Sequence, residues 1–253
     1  MQEPSSKIFL NKTLKLGSKK EWKKDNSKLY QSLKLVTVGL RKKLLFQVYA
    51  FGVYINLEEA QPYYKDCIKF STEKLQEDPA FFDLLLNDNF SKGIRLVFAR
   101  NITGDLLQEA FNVSLLERLK KMGLNKLGEQ KEPSNQQNPV VALDYFKKQF
   151  TGKKLNKGSS ISFFLLKGGK IITMIEEEEV GTLGKSPTRD IDTHRPVSSS
   201  LAMALIDVFV GTSAVDGRAR MLLAQTVRNL YTAPESEIYD PKLGKKSVKE
   251  LAS

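Results

Sequence analysis

The sequence predicts a single α+β domain, a large antiparallel sheet with its helices gathered on one side. Two observations carry this. Strand-length apolar runs and amphipathic helical stretches follow one another as strands, helix, strand, helix, helix, hairpin, two helices, without the strict alternation of a parallel fold. Residues 160–167 and 170–176 flank Gly168-Gly169, a strong hairpin signal that sets neighbouring strands antiparallel. At 253 residues, 41% of them hydrophobic, the chain is long enough to bury a sizeable core.

Residues 1–32 have weak periodicity and many lysines, and read as a basic N-terminal arm or one or two short strands. Twelve of the first fifty residues are Lys or Arg against three acids, so most of the net charge of +11 sits there. Such a segment suits nucleic acid, anionic lipid or an acidic partner. No aromatic residues are interleaved with it in the manner of a nucleic-acid surface, so nucleic acid is not expected. Residues 35–41 and 46–55 are rich in Val, Leu, Tyr and Phe, as strands are. The second run is apolar on both faces, which implies a strand covered on both sides.

Residues 72–87 read as helical, with Pro79 starting a fresh first turn. Residues 93–100 form a strand with Ile94, Leu96 and Phe98 on one face and Arg95, Val97 and Ala99 on the other. After a turn at 101–104, residues 105–122 are an amphipathic helix whose stripe is Leu107, Phe111, Leu115, Leu119 and Met122. Residues 124–139 are a polar linker and 140–150 a short helix. Beyond the hairpin come a short strand at 180–183 and a polar loop at 185–196. One of Ser198, Ser199 and Ser200 caps a helix that runs to 210, and 216–231 form the last helix. The domain thus spans 33–231, and residues 232–253 are a polar tail without a packing face.

Several functions are excluded by what the chain lacks. Cys67 is its one cysteine, so no intrachain disulfide forms. No apolar run approaches the roughly 20 residues that span a bilayer, and the most apolar stretch, 201–210, carries Asp207. The beginning MQEPSSKIF has no apolar signal region. There is no phosphate loop, dinucleotide fingerprint or nucleophile elbow. His194 is the only histidine, in a polar loop, so neither a catalytic triad nor a zinc site is expected. Glu176 to Glu179 read as a solvated strand end, because neighbouring carboxylates on a strand point to opposite faces. No metal or other cofactor is expected.

Three segments occur in the order found in the chalcone isomerase superfamily: GLRKKLLFQVYAFGVYI (39–55), GIRLVFARNITGDLLQEAFNVSLLERLKK (93–121) and SSSLAMALIDVFVGTSAVDGRARMLLAQTVRNLY (198–231). The chain resembles that superfamily over roughly residues 33–231. The resemblance implies an open-faced β-sandwich, with a layer of helices over the sheet and a ligand cleft between. The superfamily contains plant isomerases, non-catalytic fatty-acid-binding proteins of plastids and fungal mitochondrial members. Of five positions that serve the isomerases only Arg41 is kept; Tyr49, Leu107, Ser114 and Val180 replace the others. Closing a ring onto an enone needs a positioned nucleophile and a polarised ketone, and neither Leu107 nor Val180 can hydrogen-bond. The resemblance therefore implies a binding member, not an enzyme.

In the binding members an arginine and a tyrosine at the places of Arg41 and Tyr49 hold a fatty-acid carboxylate. The candidate ligand site is accordingly Arg41, Tyr49, Leu107, Phe111 and Ser114, with a fatty acid or another apolar carboxylate as partner. Arg41 and Tyr49 are eight residues apart, about 26 Å on one continuous strand. They meet only if the chain reverses near residues 43–45, a stretch without Gly, Pro, Asn or Asp. One alternative is a structural subunit that docks on a larger organellar assembly through its basic arm and its tail; an isomerase-type enzyme is the other. The expected location is an organelle matrix, mitochondrial or plastid, and otherwise the cytoplasm.

Overall fold

A computed structural model describes residues 1–17, 21, 30–124, 139–184 and 197–232. His194, the loop around it, most of the 124–139 linker and nearly all of the 232–253 tail lie outside the described residues. In chain order the elements begin β1 (Thr13–Leu16), β2 (Gln31–Lys43), β3 (Phe46–Ile55), α1 (Leu57–Tyr64), α2 (Thr72–Glu77), α3 (Pro79–Leu86) and β4 (Lys92–Phe98). They continue β5 (Ile102–Thr103), α4 (Gly104–Lys121), α5 (Pro139–Lys148), β6 (Lys154–Leu155), β7 (Ser160–Leu165), β8 (Ile171–Ile175), β9 (Glu178–Leu183), α6 (Val197–Val210) and α7 (Gly217–Thr232).

Seven strands form one sheet in the order β1-β2-β3-β4-β7-β8-β9, and every neighbouring pair is antiparallel. The expected α+β class, with an antiparallel sheet under a helix layer, is what the structure shows. Alternation along the central strands decides what each face buries. Phe51, Val53 and Ile55 of β3, Ile94, Leu96 and Phe98 of β4, and Ile161 and Phe163 of β7 share one core with the helices. Leu107, Phe111, Leu115 and Leu119 of α4 enter that core, as the stripe predicted, with Leu201, Leu205 and Phe209 of α6. Helix α7 is tied to β2, where the Thr37 hydroxyl donates to the Ala219 carbonyl at 2.6 Å.

The opposite face is covered too. Leu10, Leu14 and Leu16 pack with Leu33, Leu35, Val38, Tyr54, Phe164 and Ile172 in a second, smaller core. The Tyr54 hydroxyl donates to the Asn11 carbonyl at 3.0 Å. This is why β3 reads as apolar on both faces. Of the two expectations for residues 1–32, a basic arm or short strands, β1 is a short strand, and it packs. Residues 14–16 alternate buried, exposed and buried, with Lys15 outward. An alternation this short is swamped by the surrounding lysines when only the sequence is read.

Helix α1 has no counterpart among the elements that periodicity predicts. It is only eight residues long and contains Pro62, but the Asn56 side chain caps it by accepting from the Glu58 and Glu59 amides. Residues 72–87 do break at the proline, with Asp78 capping α3. Glu176 and Glu177 are not a strand end: they form the β8–β9 turn, at φ 48° and 73°. Glu177 pairs with Arg95 at 2.9 Å, and Glu176 accepts from the Ser160 amide at 2.9 Å. Among the described residues no helix is long and apolar enough to cross a membrane.

Two positions give the packing testable consequences. A Cβ on Gly104, at the start of α4, would lie 1.8 Å from the Phe150 carbonyl oxygen, which is backbone and cannot swing aside. Gly104→Ala should destabilise the domain by about 1–3 kcal/mol, read as a lower urea midpoint with an unchanged slope. Lys92 is buried at the start of β4, where its ammonium donates to the Asn87 and Phe90 carbonyls. Burial pulls its pKa down to about 7, against the opposing pull of Asp88 and Glu59. Between that value and the ordinary one the unfolded chain binds more protons, so this residue makes stability rise with pH above 7, and it is least favourable below 7. Lys92→Met should flatten that rise, measured by urea unfolding at pH 7 and pH 9.5.

Candidate functional site

Arg41 and Tyr49 are direct cross-strand partners in the β2–β3 ladder. The chain reverses in two residues, Leu44 and Leu45, and Leu44 takes φ 54° without the help of a glycine. The separation expected of a continuous strand is thereby reduced to that of facing side chains, about 5 Å between Cβ atoms. The register slips by one residue between Arg41 and Lys42, so Val48 is extra on β3. A bulge of this kind bends the strand and re-aims the side chains beside it.

Both residues belong to the helix side of the sheet. The Tyr49 ring lies edge-on to Phe98 of β4, centroids 6.0 Å apart, and tilted against Phe209 of α6 at 6.5 Å. Gly39, two residues before Arg41, faces the Phe51 ring and Ala219 of α7. Side chains two apart on a strand share a face, which places Arg41 on the helix side of the sheet as well.

A second arginine completes the electrostatics. Arg118 of α4 is buried; its Nη1 and Nη2 donate to the Ser114 and Ser213 carbonyls, each at 2.9 Å. Its Nε lies 2.8 Å from the Asp207 carboxylate of α6. Burial pushes the Tyr49 hydroxyl up to about 12, although Arg41 and then Arg118 pull it the other way. Tyr49 is therefore a neutral donor at any physiological pH.

The acids near these groups are engaged. Asp207 neutralises Arg118. Asp216 binds Arg218 at 3.1 Å and accepts from the Leu40 amide at 3.0 Å. Among the described residues Arg41 has no ion pair or hydrogen bond, and the Tyr49 hydroxyl has no hydrogen bond. A partly buried guanidinium without a counter-ion thus stands beside a phenol with a free proton. That arrangement suits a monoanion with two acceptor oxygens.

The remaining candidates are placed differently. Leu107 and Phe111 are 4% and 5% exposed, core side chains and not the rim of an open cleft. Phe111 packs into an aromatic cluster with Phe146, Phe150 and Phe163 at centroid distances of 5.2, 5.5 and 5.7 Å. Ser114 joins the site through its carbonyl, which holds Arg118. A cavity of about 10 Å³ lies elsewhere, between α3 and α6, and is lined by Asp88, Lys92 and Ser199 among others. It has room for about one water. Among the described residues no group of three His, Cys, Asp or Glu could hold a metal ion.

Neither Arg118 nor Asp207 was among the site residues expected from the sequence, yet each left a signal. Arg118 follows Phe111 by seven residues, two helical turns on the same stripe. Asp207 is the one charge inside an otherwise apolar helix. A charge on a buried face needs a partner, and these two are each other's.

A family model described as chalcone isomerase-like matches residues 31–193, which include the Arg41–Tyr49 ladder. The chain belongs to the chalcone isomerase-like family. Comparison with curated proteins finds no match. Among solved structures, the fold is similar to the crystal structure of a fatty-acid binding protein of Arabidopsis thaliana, with a TM-score of 0.67 and 22% identity. The match covers 91% of this chain and 98% of that one. At this identity the likeness speaks for the chalcone isomerase-like fold, including the helix layer that carries Arg118 and Asp207.

Removing one partner of that buried pair strands the other charge. Arg118→Met and Asp207→Leu should each cost about 3–5 kcal/mol. The double variant should recover much of the loss, since a hydrocarbon pair leaves no unpaired charge. A double-mutant cycle of urea midpoints measures the coupling.

Proposed function

We propose that this member of the chalcone isomerase-like family binds a fatty acid or a similar apolar carboxylate without transforming it, with the head group at Arg41 and Tyr49. The observation that carries the reading is the guanidinium of Arg41, which among the described residues has no counter-ion and stands directly across the ladder from a protonated Tyr49. A carboxylate there takes two donors from the guanidinium and one from the phenol. Charge-assisted hydrogen bonds of this sort contribute about 1.5–3 kcal/mol. The acyl chain adds roughly 0.8 kcal/mol for each buried methylene, before ordering costs.

The surroundings support binding more than chemistry. The rings beside Tyr49 are Phe98 and Phe209, which offer apolar surface and no acid or base. A hydroxyl held near 12 is a poor proton acceptor and a poor nucleophile at neutral pH. The Arabidopsis protein of similar fold is itself named as a fatty-acid binding protein.

One observation favours a second reading. Leu107, Phe111 and their neighbours are already packed against one another, and the small cavity lies elsewhere. A domain that keeps this fold without an internal ligand, and acts through its surface in a larger assembly, would be packed in the same way. Extraction of the purified protein and mass spectrometry separate the two. A bound acyl carboxylate supports the first; a protein that arrives empty and takes up none supports the second.

Titration with a fluorescent fatty acid tests the site. Arg41→Ala should weaken binding about ten- to a hundredfold, and Tyr49→Phe by less, with circular dichroism unchanged. Affinity should be flat between pH 6 and pH 9, because Tyr49 keeps its proton throughout. Equal affinity of Arg41→Ala and the parent protein would sink the assignment.

A further inference from the structure

The turn that brings Arg41 to Tyr49 also presents the two most exposed large apolar residues of the described chain, Leu44 and Leu45, with the exposed Phe46 next to them. Leu44 is 88% exposed, Leu45 95% and Phe46 61%. They are consecutive, at the tip of a two-residue hairpin, and Leu44 holds a positive φ that glycine or asparagine would adopt at lower cost. Turns of this type normally carry small polar residues. Here two leucines and a phenylalanine project into water instead.

The base of the tip is cationic. Lys42 and Lys43 precede the leucines and are exposed. The exposed guanidinium of Arg100 lies over the Phe46 ring, 5.4 Å from its centroid. From residue 26 to residue 57 the sequence contains no Asp or Glu, so the hairpin itself offers these cations no counter-charge. Apolar side chains at the apex with lysine and arginine behind them match the layering of an anionic bilayer, where hydrocarbon lies beneath negative head groups.

We infer that the β2–β3 hairpin tip docks on the surface of an anionic lipid bilayer. Leu44, Leu45 and Phe46 enter the boundary between head groups and acyl chains. Lys42, Lys43 and Arg100 meet the head groups. The size of the patch favours a bilayer over a protein. A stable protein interface buries roughly 800 Å² on each side, and three side chains on a narrow, convex turn fall well short of that. A bilayer needs no complementary shape, only depth and charge.

The inference stands apart from the carboxylate reading, because it concerns the outside of the tip. If both hold, the head-group site lies three residues from the membrane contact, about 10 Å along the strand. An acyl ligand would then pass between bilayer and protein over a short path.

Flotation of the full chain with vesicles tests it, using phosphatidylcholine alone and phosphatidylcholine mixed with phosphatidylglycerol. The parent protein should float with the anionic vesicles only. Leu44→Ser/Leu45→Ser/Phe46→Ser should weaken that binding by about a hundredfold. Lys42→Gln/Lys43→Gln should weaken it by roughly tenfold. Both variants alter exposed side chains, and circular dichroism should show the parent fold. Two outcomes overturn the inference. The triple variant floating as well as the parent would mean that net positive charge alone attracts the vesicles. A parent dimer, made monomeric by the triple variant and with no vesicle binding, would mean that a second copy covers the tip. Fatty-acid titration without vesicles keeps the two readings distinguishable: the triple variant should bind ligand as the parent does, whatever the vesicles show.

Discussion

The reversal of the chain at Leu44 and Leu45 is the constraint on which the site depends. It sets the β2–β3 register, and that register sets Arg41 opposite Tyr49. A slip of one residue would turn one partner to the opposite face. The fold resists such a slip because, away from the tip, both faces of the hairpin are buried. Phe51 and Val53 are committed to the helix side, and Leu35, Val38 and Tyr54 to the side covered by the N-terminal segment. On a strand with two buried faces a slip would exchange the two sets of side chains, and each core is packed to fit its own set. The turn can therefore hold a leucine at positive φ: the price of roughly 1–2 kcal/mol for that conformation is small beside the burial that fixes the strands on either side.

Electrostatics then decides which of the two arginines is available. Arg118 and Arg41 both act on the Tyr49 hydroxyl, but they are not equivalent. Arg118 is held by two carbonyls and a carboxylate, and serves to join α4 to α6 and to the chain after it. Arg41 has none of these ties. Charge balance around the phenol is thus incomplete by one negative charge among the described residues. The small-residue contacts at Gly39 bring α7 close to the same strand. Arg41 lies two residues further along that strand and is partly buried, so an anion there is screened less than on an open surface.

Much of this was legible in the sequence. The strands at 35–41 and 46–55, the strand at 93–100 and the α4 stripe follow from periodicity, because their buried faces are long enough to register. The two glycines of the β7–β8 hairpin give its position directly. What remained hidden had local causes. Helix α1 is short, contains a proline and depends on the Asn56 cap. The second core depends on three leucines scattered among lysines. The turn at Leu44 carries none of the residue types that announce a turn, so the sequence makes the meeting of Arg41 and Tyr49 conditional on a reversal that it does not signal. The Arg118–Asp207 pair needed two helices, far apart in sequence, to be laid side by side. Leu107 and Phe111 were correctly read as apolar face, but whether such residues line a cleft or fill a core is a matter of packing between elements, which periodicity does not encode.

The filled interior bears on what kind of carboxylate the Arg41–Tyr49 pair could retain. A ligand that enters between the sheet and α6 must displace side chains that are already buried. Exposing one such Leu or Phe costs about 1.5–3 kcal/mol, equivalent to the gain from burying two to four methylenes. A short carboxylate does not offset that loss, and with the core closed it is held by its head group alone. A chain of about ten buried methylenes offers roughly 8 kcal/mol gross, enough to offset the displacement of two side chains and part of its own ordering. The guanidinium then supplies direction and the core supplies a threshold in chain length. In the carboxylate-binding reading, a tightly packed sheet–helix interface is thus a selective feature, since it favours long acyl chains over the smaller and more abundant carboxylates that Arg41 alone would also attract.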